Sequence, residues 1–178
     1  MLLFTNITRR LKRCAKDAQL GRAKNSSPFN LALWVKVKNM KFQNPEVEKT
    51  FNTYSSKIKK QLLSVRRLIF EIAHKTNEVG NIEETLKWDN PSYITSKPKS
   101  GTTIRLSSVR GSNSEYAISV HCQTTLIAEF KEKYPELTYE GNRSIILNLN
   151  EKLPSYEIEE FIFLALTYHY RKKQGIGI

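Results

Sequence analysis

The sequence predicts an α+β domain in which an antiparallel sheet carries long N-terminal and C-terminal helices on one face. Two observations predict the class. Apolar residues recur every three or four positions from Val47 to Ile72 and again from Ile158 to Tyr168, and between these stretches the period falls to two.

The first helix opens at Asn44-Pro45-Glu46, which offers an Asn cap, proline at the first helical position and an acid in the first turn. Val47, Phe51, Tyr54, Ile58, Leu62, Val65, Ile69 and Ile72 form its apolar stripe, as one long helix or as two broken near Ser55-Ser56. Lys57, Lys59, Lys60, Arg66 and Arg67 are expected on its outside, and the helix should end by Asn77–Gly80 with glycine as a left-handed cap.

From Glu83 the pattern alternates. "ETLKW" leads into a turn at Asp89-Asn90-Pro91, then "SYIT", the loop "SKPKSG" and the strand "TTIRLSSV", with Ile104 and Leu106 on one face and Thr103 and Arg105 on the other. Tyr116–Cys122 is a further strand. A short helix spans about Thr125 to Lys133, and "LTYEGNRSIILNL" reads as a hairpin turning at Glu140-Gly141-Asn142. The last helix runs from Pro154 or Ser155 to about Lys173, with Ile158, Phe161, Ile162, Ala165 and Tyr168–His169 inward; residues 174–178 are a tail.

The net charge is +12, but it is unevenly placed. Residues 1–39 hold nine basic side chains and one acidic, against 20 and 16 over positions 40–178. Residues 1–43 therefore read as a basic, disordered extension, and 44–173 as the domain. Met40, just before the domain, is an alternative start, and an organelle transit peptide is a third reading. No apolar run approaches the ~18 residues of a membrane span. Cys14 and Cys122 cannot build a secreted disulfide framework, so a reducing, cytoplasmic setting is expected.

"YAISVHCQTT" sets His121 beside Cys122. Alternation turns Ile118, Val120 and Cys122 one way and Ser119 and His121 the other, so Cys122 is expected as a small buried hydrophobe rather than half of a catalytic dyad. His121 and Gln123 end the strand just before a helix, where side chains line pockets. Trp88, Asp89, Asn90 and Tyr93 read as a fixed turn or as one wall of a small-ligand site. Glu140, Asn142 and Arg143 form a second cluster. By parity Arg143 shares a face with Ile145 and Leu147, so its guanidinium should be partly buried, paired with Glu140 or Asp89, or holding an anionic ligand. His169, on the inner stripe of the last helix, reads as a core histidine or a ligand contact. The histidines lie at 74, 121 and 169, with no metal-ligand spacing, and no phosphate loop or nucleophile elbow is present. No catalytic residue, metal ligand or cofactor is assigned, and the chain is expected to be a non-enzymatic, cytoplasmic small-ligand-binding or carrier module. The basic arm and the Lys57–Arg67 face suggest nucleic acid as an alternative partner. No membrane association is expected.

Taken together, "EETLKWDNPSYIT", "SGTTIRL", "YAISVHCQTT", "EGNRSIILNL" and "ALTYHYRK" resemble the YdhG-like family, domain of unknown function 1801, over about residues 45–171. The resemblance implies an α+β fold with flanking helices, in a generally bacterial and cytoplasmic family. Some relatives are described as frataxin-like iron chaperones, which implies iron as a cargo. Two departures stand out. Asp89 replaces the usual glycine after the tryptophan. The long helix is basic where frataxin-like proteins present an acidic ridge, its own acids being Glu46, Glu48 and Glu71. Glu83, Glu84 and Asp89, and Glu157, Glu159 and Glu160, are expected as solvated faces.

Overall fold

A computed structural model describes residues 40–176. The readings of the basic arm at residues 1–39 therefore lie outside the described residues.

α1 (Pro45–Thr53) starts behind Asn44, whose side chain accepts the Glu46 amide at 2.9 Å. α2 (Ser56–Lys75) restarts behind Ser55, which caps the Ile58 amide, so the stripe is carried by two helices. β1 (Asn81–Lys87), β2 (Asn90–Lys97), β3 (Ile104–Ser108) and β4 (Glu115–Ser119) follow. Then come α3 (Leu126–Lys133), β5 (Thr138–Glu140), β6 (Ser144–Asn148), α4 (Ser155–Leu166) and α5 (Tyr168–Lys173). The strands form one sheet in the order β1-β2-β3-β4-β6-β5, with every neighbouring pair antiparallel. The expected α+β class is the observed one.

One side of the sheet faces the helices. Tyr93, Ile104, Leu106, Tyr116, Ile118 and Ile145 are buried there, under Leu62, Val65 and Ile69 of α2 and Phe161, Ile162 and Ala165 of α4. Phe130 of α3 meets Phe161 edge-on at 5.2 Å, sealing one end of the core.

Three expectations about this layer are corrected. Arg66 is not on the outside of α2. It lies on the buried stripe one turn after Leu62, 5% exposed, and makes a two-pronged pair with Glu84 at 2.6 and 2.9 Å. Glu84 is accordingly buried rather than solvated, because it shares the inward face of β1 with Ile82. Residues before position 44 complete this cluster. The Gln43 amide donates to Glu84 at 3.0 Å, the Lys41 carbonyl accepts from Arg66, and the Phe42 ring lies 4.5 Å from the guanidinium. Glu160 is not solvated either: its carboxylate takes both Lys133 and the Tyr134 hydroxyl.

The end of α2 and the single last helix also need correction. α2 ends on an extended Thr76. Gly80, at φ 68°, instead lets the chain pass against β2, where a Cβ would stand 2.4 Å from the Lys97 carbonyl oxygen. The last helix breaks at Thr167. The β2–β3 loop crosses the end of α4, where the Thr102 amide and the Ser100 hydroxyl take the Ala165 and Leu166 carbonyls at 2.8 and 2.9 Å. A Cβ on Gly101 would lie 2.3 Å from the Leu166 carbonyl oxygen, so the crossing requires glycine. The break turns His169 outward, and it is exposed rather than in the core.

Candidate functional site

Among the described residues, no helix covers the other side of the sheet over its central strands. Register places Thr85, Ser92, Arg105, Ser119, Ser144 and Glu140 opposite one another in turn, a polar row crossing all six strands. Two serines make the row close-packed: Ser92 and Ser144 are buried, and the Ser144 and Ser119 hydroxyls are 2.9 Å apart.

Above this row lies a hollow of about 620 Å³, bordered by Trp88, Asn90, Arg105, Ser107, Ser119, His121, Cys122, Glu140, Arg143 and Ser144. Five residues that the sequence marks as ligand contacts meet here: Trp88, Asn90, His121, Glu140 and Arg143. Four others, Arg105, Ser107, Ser119 and Ser144, went unnoticed because the polar side of an alternating strand looks the same whether it faces bulk water or a shared concavity. Only the pairing register shows that they converge.

Each local placement has a cause. Lys87 pairs with Asn90, leaving Trp88 and Asp89 as a two-residue turn with φ 55° and 58°. That is the left-handed pattern of a type I′ hairpin, one residue earlier than the turn expected at Asp89-Asn90-Pro91. The Asn90 side chain donates to the Trp88 carbonyl at 2.7 Å and braces the turn. Trp88 is 82% exposed. Left-handed backbone suits asparagine, aspartate and glycine, and costs a tryptophan about 1–2 kcal/mol.

Cys122 and Arg143 depart from expectation in the same way. Cys122 is exposed and borders the hollow together with His121. β4 stops at Ser119, and the chain then turns, with Thr124 donating to the His121 carbonyl through both its amide and its hydroxyl, at 3.0 and 2.8 Å. Strand parity no longer applies past that point, and both side chains border the same hollow. No hydrogen bond joins them among the described residues. Arg143 is exposed as well, because it precedes β6 and does not share the inward face of Ile145. Neither Arg143 nor Arg105 makes an ion pair among the described residues.

Gln123 and His169 border a second hollow of about 420 Å³, with Thr102, Thr103, Tyr168 and Lys172, and His121 borders both. His121 accepts the Gln123 amide on Nδ1 at 3.3 Å, which in the neutral ring leaves the proton on Nε2. Partial burial, then Lys172 and Lys173, hold the His169 pKa below its ordinary value. The remaining three candidates lie elsewhere. Tyr93 is fully buried against the helices, next to Glu84 and Arg66, and belongs to the core. Burial first, then the Glu84 carboxylate, push its pKa well above the ordinary value, and among the described residues its hydroxyl has no partner in hydrogen-bonding geometry. Asp89 and Asn142 border neither hollow.

Among the described residues, no three His, Cys, Asp or Glu side chains are placed to hold a metal ion, and no helix is long and apolar enough to cross a membrane. What the first hollow offers is two guanidiniums, an imidazole, hydroxyl groups and an exposed indole around a polar floor, with one carboxylate at its rim. Compared with family models, curated proteins and solved structures, the chain has no match in any of the three.

Proposed function

We propose that the protein is a cytoplasmic, non-enzymatic module that binds a small anionic ligand on the open face of its sheet, in keeping with the YdhG-like resemblance. The observation that carries this reading is that Arg105 and Arg143 border one hollow and that neither makes an ion pair among the described residues. Guanidinium groups present forked donors that match the oxygens of phosphate or carboxylate. Ser107 and Ser119 add hydroxyl donors, and His121 adds a ring N–H donor. Glu140 at the rim disfavours anions on its own side and so orients the ligand toward the arginines.

The same charges count against iron, because two guanidiniums repel a cation. The nucleic-acid alternative loses Arg66, which is buried, and keeps Lys57 and Lys60 as exposed cations on α2.

Calorimetric titration with inorganic pyrophosphate tests the proposal. Arg105→Ala should weaken binding tenfold or more, since a hydrogen bond to a charged group contributes about 1.5–3 kcal/mol. Lys60→Ala, on the opposite layer, should leave it unchanged. Equal binding by Arg105→Ala and the wild type would rule the site out.

A further inference from the structure

We infer that the ligand is a nucleoside phosphate, with its flat ring against Trp88 and its phosphates on Arg105 and Arg143. The inference rests on the anion-site reading above and adds the other half of the ligand.

The hollow is longer than an isolated phosphate requires. Trp88 stands on the β1–β2 turn and Arg143 at the head of β6, with β3 and β4 between β2 and β6. Three strand spacings separate the two ends, about 14 Å. A single inorganic anion can engage Arg143 but leaves the Trp88 end empty. The volume, about 620 Å³, falls in the range of sites for whole small molecules.

The Trp88 end is apolar and flat. Among the described residues Trp88 is the one large hydrophobic side chain left exposed, and it is held there on an unfavourable left-handed backbone. An indole displayed in this way at the mouth of a cationic hollow is a stacking surface. Bases stack on such rings with little regard to identity, and losing the ring typically weakens binding roughly fivefold to a hundredfold. Asn90 and Ser107 border the hollow as well and supply polar groups for a sugar. Arg105, central in the polar row, meets the phosphate nearest the sugar, and Arg143 meets the terminal one.

Three probes separate the parts: ADP, pyrophosphate and adenosine, each titrated calorimetrically into the full chain in EDTA buffer. ADP should bind at least fivefold tighter than pyrophosphate. Trp88→Ala should bring ADP down to the affinity of pyrophosphate and leave pyrophosphate within twofold, while Trp88→Phe keeps most of the gain. Arg143→Ala should weaken both ligands about tenfold. If pyrophosphate binds and needs Arg143 but ADP binds no tighter, or keeps its advantage in Trp88→Ala, the nucleotide inference is overturned and the anion site stands. If neither phosphate ligand binds, both are overturned.

Discussion

Arg66 on α2 and Glu84 on β1 form a two-pronged ion pair sealed inside the domain, their side chains 6% and 0% exposed. The pair stitches the helix layer to the outermost strand. It draws in Lys41 and Gln43, and it lies between the rings of Phe42 and Phe70, 4.5 and 5.1 Å from the guanidinium.

Removing one partner therefore does more than delete a contact. Arg66→Ala leaves a buried carboxylate with no counter-charge and should cost about 3–5 kcal/mol. Arg66→Met combined with Glu84→Leu should recover much of that loss. Urea unfolding of the three proteins checks this, and a loss below about 1 kcal/mol in Arg66→Ala would contradict the burial of the pair.

Trp88 sets stability against binding. Trp88→Asn places a residue that tolerates left-handed backbone in the turn and sacrifices little burial. It should raise stability by about 0.5–1 kcal/mol while weakening ADP binding. A thermal melt that falls instead would mean that the indole packs on its own domain.

Cys122 reports on occupancy without any mutation. It is exposed at the rim of the hollow, so a bound ligand should slow its alkylation by iodoacetamide. Cys14 provides an internal comparison in the same mass spectrum. Equal slowing of both cysteines, or of neither, at saturating ADP would place the ligand elsewhere.

Glu159 predicts a pH-dependent gain. Burial, chiefly, raises its pKa, with Glu71 adding to the shift and Lys75 opposing it. A raised folded pKa means that the native state holds the proton more tightly than the unfolded chain. Native stability from this group is thus present at low pH and is lost as pH rises through the folded pKa. Glu159→Gln keeps a neutral side chain throughout. Its advantage should be absent below the ordinary carboxylate range and reach its full size, under about 1 kcal/mol for a half-buried group, at neutral pH. Denaturation at pH 4 and pH 7 tests it, and an advantage that is larger at pH 4 would reverse the sign.

Much of this architecture is legible in the sequence, for identifiable reasons. The change of period from four to two and back marks the layers, and within strands parity holds: Ile104 and Leu106 face the core while Arg105 faces out. Parity fails within one to three residues beyond the limits of a strand, which is where Cys122 and Arg143 lie. Arg66 and Glu84 occupy inward positions of their own periods, spaced with Leu62 and with Ile82. An inward cation and an inward anion on neighbouring elements are the signal of a buried pair, and position decides their placement over residue type. The site was only half legible, because Arg105, Ser119 and Ser144 come together through strand register, which no local pattern records.

In the proposed function the open face of the sheet, and not the basic helix, receives an anion. Amide chemical shifts of the isotopically labelled protein during a pyrophosphate titration test this most directly. Shifts are expected to cluster at Arg105, Ser119, His121, Arg143 and Ser144. Shifts clustered instead at Lys57, Lys59, Lys60 and Arg67, or no saturable shifts at all, would contradict it.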